Sequence, residues 1–180
     1  MKGDISTLRK ICRYASSVML AGTVALGAAL ACTLILGAGA AAGIDGFEET
    51  LSAWTGGGLL GVSGIAAFAE LSMILALGLF TVLTVYKVMK AMQTEHSPFE
   101  TENVDSMRVL AKTYLVSAFL LAVAEWIAHG SLPGTLFLFF GSVMVAVVVY
   151  CLALAFRYGC LLQKESDETL RGADDDHTQA

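Results

Sequence analysis

Four long runs of apolar residues divide this 180-residue chain, and polar residues gather between and beyond them. The first run, residues 15–44, and the fourth, residues 135–156, contain no charged residue. The second and third, residues 64–86 and 113–129, are each interrupted by one glutamate. About twenty helical residues cross a hydrocarbon layer of roughly 30 Å, so each run predicts one transmembrane helix.

The connections between the runs predict how these helices are arranged. The sequence HGSLPG at residues 129–134 contains glycine and proline, which favour a tight turn between antiparallel helices. In the first connection, large apolar side chains recur on one helical face: Ile44, Phe47, Leu51 and Trp54. This spacing predicts a short helix lying flat on the outer membrane surface. A ligand-binding loop is the alternative for that segment.

We therefore predict an all-α membrane protein with four transmembrane helices in an antiparallel bundle and a short interfacial helix in the first outer loop. Residues 1–170 would form a single domain, and residues 171–180, which are almost entirely polar, a disordered tail. The first apolar run is about twice as long as the hydrophobic region of a usual signal peptide, so we expect it to be retained as a helix.

The longest polar stretch inside the chain, SPFETENVDSMRVLAK at residues 97–112, has the features of a helix start. Ser97, Pro98 and Glu100 fit a capping box with proline at the first helical position. A second start is possible at Thr101, whose hydroxyl can cap the amides that follow it. The third transmembrane helix is therefore predicted to begin before the membrane.

Composition limits the class of protein. The chain is 56% hydrophobic and only 15% charged, whereas soluble domains carry about a quarter charged residues. The four cysteines form no CxxC pair, which speaks against a zinc site or a disulfide framework: Cys12, Cys32, Cys151 and Cys160. No basic, aromatic-interleaved surface indicates nucleic-acid binding. No nucleophile–base pair, phosphate loop or metalloprotease signature is present, so we expect neither an enzyme nor a bound cofactor.

The distribution of basic residues predicts the orientation. Of the eleven Lys and Arg residues, four precede the first run, four lie between the second and third, and three follow the fourth. The other two connections contain none. Because basic residues accumulate on the cytoplasmic side, we expect a multi-pass protein of the bacterial plasma membrane with both termini in the cytoplasm.

Two acidic residues inside the apolar runs are the strongest candidates for a functional site. At about 1.5 Å per residue, Glu70 lies roughly 25 Å along its helix from Lys87, and Glu125 roughly 20 Å from Lys112. Both therefore fall in the outer part of the membrane, where ionisable groups suggest function. His129 follows Glu125 by one helical turn. These three side chains are candidates for a proton or divalent-cation site; alternatively, they sit among the outer headgroups and reach water.

Glycines in the first run predict a close helix contact. Gly39 and Gly43 have GxxxG spacing, which allows two helices to approach closely. Packing against a neighbouring helix of the same chain is the simpler interpretation. A homo-oligomer formed through the glycine-rich first span is the alternative.

The segment SPFETENVDSMRVLAKTYLVSAFLLAVAEW resembles the central signature of the DUF2975 family, small bacterial membrane proteins of unknown function. The matching positions in this segment are Pro98, Phe99, Glu102, Asn103, Val104 and Arg108. FRYGCLLQKESDETL resembles the family's second mark, with matches at Phe156, Gly159, Leu162, Glu165, Asp167 and Thr169. The resemblance implies four spans and no known enzymatic activity. It also implies a helix-turn-helix regulator as a partner, because genes for such regulators often neighbour those of the family.

Two functional hypotheses remain open from the sequence. In the first, the protein is a non-enzymatic membrane module that senses an envelope condition and relays it to a cytoplasmic helix-turn-helix regulator. Its polar loop and C-terminal segment would make that contact, with Arg108 paired to Glu165 or Asp167. In the second, it is a small transporter or a proton- or cation-coupled carrier that uses Glu70 and Glu125 in the outer half of the membrane.

Overall fold

The computed structural model describes residues 2–44, 46–55, 62–93 and 101–177. In this part of the chain the backbone forms five helices: α1 (Lys2–Ala41), α2 (Phe47–Thr55), α3 (Val62–Gln93), α4 (Thr101–His129) and α5 (Leu132–His177). Four of them, α1, α3, α4 and α5, are long and apolar enough to cross a membrane. The prediction of an all-α chain with four helices suited to membrane spanning is therefore confirmed.

Glycine ends two of the long helices. Gly43 follows α1 with φ of 70°, and Gly130 follows α4 with φ of 62°, a left-handed conformation that glycine adopts without steric cost. Beyond α1, the amide of Ile44 donates to the carbonyl of Gly39 at 3.1 Å. Beyond α4, the amide of Gly130 donates to the carbonyl of Trp126 at 3.0 Å. These bonds satisfy carbonyls that each helix end would otherwise leave unpaired.

The four long helices pack in the order α1, α3, α4, α5. The Tyr114 hydroxyl of α4 contacts Thr81 of α3 at 2.8 Å, and the rings of Phe119 and Phe139 join α4 to α5 with centroids 5.2 Å apart. Among the described residues, α1 makes no close backbone contact with α4 or α5, and α3 makes none with α5. The helices therefore form an open row, and the predicted four-helix bundle is not confirmed.

Neighbouring helices in this row run in opposite directions. Near the start of α3, Glu70 lies close to His129 at the end of α4. Near the end of α3, Lys87 shares a cavity with Asp105 at the start of α4. Because the contacts pair early residues of one helix with late residues of the next, the acidic residues of α3 and α4 lie at the same end of the molecule.

The glycine-rich face of α1 packs within the chain. A side chain at Gly39 would overlap the ring of Phe47 in α2, and one at Gly37 would overlap the ring of Phe68 in α3. Gly43 lies beyond the end of α1, so the GxxxG pair does not form one continuous helical face. The intramolecular interpretation accounts for Gly39. The short helix predicted in this loop is present as α2, and its position on the membrane surface stays a prediction.

Two element boundaries differ from those predicted. α5 begins at Leu132, so Pro133 and Gly134 lie in its first turn, and the connection from α4 is only two residues long. Proline is compatible with a first helical turn because its missing amide has no partner there. At its other end α5 continues to His177, so the described residues of the segment predicted as a disordered tail are helical. α4 is described from Thr101, and the capping box of residues 97–100 lies outside the described residues.

Candidate proton and cation site

The three residues singled out in the apolar runs meet at one place. Glu70 comes from α3, while Glu125 and His129 stand one turn apart at the end of α4. His129 Nδ1 lies 2.9 Å from Glu125 Oε2 and 3.9 Å from Glu70 Oε2. One ligating atom from each residue lies within 4.8 Å of the others. Two carboxylates and an imidazole at this spacing can hold a proton or a cation between them.

Both carboxylates are withdrawn into the protein. The side chain of Glu70 is 10% exposed and that of Glu125 is 12% exposed, whereas His129 is 46% exposed. Glu70 Oε2 is fully buried and has no hydrogen-bond partner in the described part of the chain. A buried, unpaired carboxylate oxygen is costly unless something charged or hydrogen-bonding meets it. This oxygen lies 3.9 Å from His129 Nδ1, on the side of Glu70 that faces the cluster.

The first turn of α5 forms the third wall of the site. The carboxylate of Glu125 lies against Gly134, where an added β-carbon would overlap its Oε1 atom. Ser131 caps this turn: its hydroxyl accepts from the amide of Gly134 at 3.3 Å, and its carbonyl accepts from the Thr135 hydroxyl at 2.8 Å. A carboxylate beside the first turn of a helix faces the positive end of the helix dipole. Gly134 thus allows Glu125 to lie closer to α5 than any side chain would permit.

Among the described side chains, the ion-pair partner of both carboxylates is His129, and no lysine or arginine pairs with either. The sequence contains no lysine or arginine between Arg13 and Lys87, or between Lys112 and Arg157. Lys87 and Lys112 lie at the opposite ends of α3 and α4 from the site. Apart from His129, the countercharge must therefore come from outside the chain, as a proton or another cation.

A cavity of about 360 Å³ lies between α3, α4 and α5, on the membrane side of this site. The lining comes from all three helices and is mostly apolar: Ile74, Leu77 and Gly78; Tyr114 and Leu121; Phe137, Leu138, Gly141, Ser142 and Val145. Its volume falls within the range of small-molecule pockets, about 300–1,000 Å³. The lining residues Ile74 and Leu121 stand one helical turn from Glu70 and Glu125, so the cavity lies about one turn from the carboxylates.

Polar groups lie at the far end of this cavity. The Thr81 hydroxyl donates to the carbonyl of Leu77 at 2.7 Å. The Tyr114 hydroxyl lies 2.8 Å from the same Thr81 oxygen, so Tyr114 is the donor in that contact. Within a membrane such hydroxyls need a partner inside the protein, and this pair joins α3 to α4 at mid-length.

The positions that carry the family resemblance lie at the other end of the molecule or along α5. Glu102 lines a second cavity, of about 590 Å³, beside Lys87, and Asn103 is buried. Arg108 pairs with Asp105 of its own helix at 3.6 Å. On α5, Gly159 is partly buried and Glu165 is exposed. Pro98, Phe99 and the side chain of Asp167 lie outside the described residues, and the pairing of Arg108 with Glu165 or Asp167 stays a prediction.

Sequence reasoning found the titratable residues but missed the groups that position them. Gly134 and Ser131 were assigned to a turn, and nothing in the pattern showed that Glu125 would pack against Gly134. A serine three residues before a glycine is compatible with a helix cap, and this signal could have placed the start of α5 earlier. The aromatic and aliphatic lining of the cavity carried no signal at all.

Comparison of the chain with protein-family models, with curated proteins and with solved structures found no match. The resemblance to the DUF2975 family therefore stays a prediction, and the function must be argued from the site.

Proposed function

We propose that this protein is a small multi-pass membrane carrier that exchanges protons for cations at Glu70, Glu125 and His129. The observation that supports this proposal is the convergence of two nearly buried carboxylates and an imidazole from two different helices, with one ligating atom from each residue within 4.8 Å of the other two. The Oε2 atom of Glu70 has no hydrogen-bond partner in the described part of the chain, and the apolar runs contain no lysine or arginine. Positive charge at the site would therefore be stabilising.

The exchange follows from electrostatic repulsion. Two carboxylates held this close and away from water repel each other, so the folded protein gains stability when a proton or a cation lies between them. A proton and a cation both reduce the repulsion between the same two carboxylates, so binding of one displaces the other. This competition is the elementary property that a proton-coupled carrier requires.

The test compares thermal unfolding of purified wild type with the double variant Glu70→Gln, Glu125→Gln across pH and with added zinc or manganese. We expect acid or metal to raise the midpoint of the wild type and to leave the double variant nearly unchanged, because glutamine carries no charge to relieve. The double variant Glu49→Gln, Glu102→Gln removes two exposed carboxylates elsewhere and should respond like the wild type. Identical responses of wild type and site variant would eliminate the exchange proposal.

Transport itself is tested in liposomes that contain an internal pH dye. An inward cation gradient should drive protons outward through the wild type, and the site variant should leave the internal pH unchanged. Cation binding without proton movement would leave a binding site but no carrier.

A second candidate function is a sensor that relays the state of this site to a cytoplasmic helix-turn-helix regulator. The observation that favours it is the contact of Glu125 with Gly134, because α5 continues without interruption from this first turn to His177. A shift of the Glu125 carboxylate would change its contact with the first turn of α5, and the other end of α5 would lie outside the membrane. Crosslinking of residues 101–112 to the end of α5, and co-purification of a regulator, test this candidate. An Arg108→Ala variant that changes neither result would remove the predicted loop contact.

The proposal includes an orientation of the protein in the membrane. Both termini and the connection between α3 and α4 would face the cytoplasm of a bacterial cell, because the basic residues gather there. The site would then face outward. Helix α2 would lie on the outer surface, and the lipid-facing sides of α1 would be free to meet lipid or a second copy. No enzymatic activity is proposed.

A further inference from the structure

The cavity lies about one helical turn from Glu70 and Glu125, neither of which is among its lining residues. We call the cavity and the two carboxylates together the compartment. Each of the three surrounding helices places a cavity residue about one turn from the charged end: Ile74 follows Glu70 by four residues, Leu121 precedes Glu125 by four, and Phe137 follows Gly134 by three. Residues one turn apart are neighbours on a helix face. The apolar part of the compartment therefore lies about one helical turn from its charged part.

The acidic end of this compartment has the features of a ligand site and not only of a charged cluster. The Glu70 side chain is nine-tenths buried, and its Oε2 atom has no hydrogen-bond partner in the described part of the chain. The Glu125 carboxylate lies against Gly134 in the first turn of α5 and contacts His129 Nδ1 at 2.9 Å.

The shape of the apolar part limits the ligand that would fill it. Along α5 the lining extends from Phe137 to Val145, eight residues, which corresponds to roughly 12 Å at 1.5 Å per residue. Along α4 it extends from Tyr114 to Leu121, roughly 10 Å by the same rise.

We propose that the cation taken by this site is an organic ammonium ion with an apolar body of about 10 Å or less, its charged end against the carboxylates of Glu70 and Glu125 and its body in the cavity. This inference rests on the exchange function proposed above and names its substrate class. The apolar cavity contributes nothing to a hydrated metal ion, whereas it would bury the hydrocarbon of an organic cation, a gain of roughly 25 cal/mol per Å². The ammonium ion also sheds its water more easily when its charge is shielded by alkyl groups.

The packing of the helices gives such a ligand a route from the membrane. Because α3 and α5 make no close backbone contact in the described part of the chain, the cavity between them has no helix closing its outer side. A lipophilic cation that has partitioned into the bilayer can enter there and reach the carboxylates with its charged end.

The probe is benzyltrimethylammonium, whose neutral isostere neopentylbenzene has the same shape without the charge. We expect calorimetry on the purified wild-type protein in detergent to show saturable binding of the ammonium ion, with an observed binding enthalpy that changes with the ionisation enthalpy of the buffer because protons are released. The neutral isostere should not displace it. Binding of both compounds with equal strength would mean that the carboxylates do not select the ligand, and would overturn the inference.

A cavity-filling variant tests the other half of the inference. Gly141 lines the cavity, and a β-carbon added there meets no atom within 4 Å, so Gly141→Leu fills the space without a backbone clash. We expect it to weaken benzyltrimethylammonium binding at least tenfold. Gly27 in α1 has equally open surroundings and does not line the cavity, so Gly27→Leu is the matched control and should bind like the wild type.

Thermal unfolding and gel filtration establish that both glycine variants are folded. Should Gly141→Leu bind as tightly as wild type, the ligand does not occupy the cavity and the inference is wrong. Should zinc or manganese stabilise the wild type while benzyltrimethylammonium fails to bind, the substrate class is wrong but proton–cation exchange stands. Should wild type and the Glu70→Gln, Glu125→Gln variant respond alike to pH, metal and ammonium ion, both proposals fail together.

Discussion

Replacing Gly134 by alanine should disturb the site without changing any of its titratable groups. The β-carbon of alanine would occupy the place of Glu125 Oε1, although the Glu125 side chain is flexible enough to move away. Non-bonded carbon atoms approach no closer than about 3.5 Å, so we expect the carboxylate to retreat by about 1 Å or more. This movement separates Glu125 from Glu70 and His129, whose spacing defines the site.

We expect Gly134→Ala to lower the ligand affinity strongly and the stability of the fold only slightly. Changes to the groups that position a ligand-binding side chain typically weaken binding about 10- to 100-fold, which corresponds to about 1.4–2.7 kcal/mol. Alanine in place of glycine adds up to about 1 kcal/mol of helix propensity, which offsets the cost of moving a single flexible side chain. The unliganded variant should therefore unfold close to the wild-type temperature.

The assay is thermal unfolding with benzyltrimethylammonium at one hundred times the wild-type dissociation constant. At that concentration a ligand stabilises the wild type by about 2.7 kcal/mol, and the same concentration gives about 1.4 kcal/mol after a tenfold loss of affinity and about 0.4 kcal/mol after a hundredfold loss. Gly27→Ala supplies the control, because its added methyl group meets no neighbour. Equal ligand stabilisation of wild type and Gly134→Ala would refute the role assigned to the first turn of α5.

Three further predictions concern orientation and packing. In a cysteine-free background, Ser131→Cys should react with an impermeant thiol reagent added to intact cells and Gln93→Cys should not; reaction at Gln93 would reverse the orientation. Tyr114→Phe should lower the free energy of unfolding by about 0.6–1.7 kcal/mol, since hydrogen bonds between membrane helices have this strength, and in a Thr81→Val background the same change should have little further effect. Gly37→Leu should destabilise the protein, because an aromatic ring of α3 occupies that space; a fully stable variant would contradict the packing of α1 on α3.

The parts of the fold that the sequence predicted are those with a strong physical signal. A long apolar stretch that crosses the hydrocarbon layer must form a helix, because a single segment has no other way to satisfy its backbone hydrogen bonds there. The number of long helices follows from this requirement alone, but their ends do not, since α1 begins at Lys2 and α5 ends at His177, both well outside the apolar runs. Glu70 and Glu125 were equally visible, because a carboxylate in an apolar run is costly and rare, and the i, i+4 spacing of His129 placed it beside Glu125.

Helix order and the placement of Gly134 could not be predicted because the sequence signal for them is weak. In a soluble protein an apolar stripe marks the buried face of a helix, but in a membrane the lipid-facing side is apolar as well. Phe137 and Met144 stand in the same uninterrupted apolar run, yet only Phe137 lines the cavity. For the same reason the sequence did not indicate which helices α1 and α5 would contact. The bundle was predicted because it is the common arrangement of four antiparallel helices.

The open row of helices explains why an acidic site with an apolar chamber can exist in so small a chain. A closed bundle of four helices would fill the space beside α4 with side chains from a helix on the opposite side. In the row, α4 has α3 on one side and α5 on the other, and the space above their shared face stays open because those two do not meet. Gly141 of α5 lines the cavity without a side chain, and a β-carbon added there would meet no atom within 4 Å. The apolar chamber therefore originates from the separation of α3 from α5, whereas the charged end originates from the contact of α3 with α4. A change that draws these helices together should remove ligand access and the chamber at once, while the carboxylates of Glu70 and Glu125 remain in place.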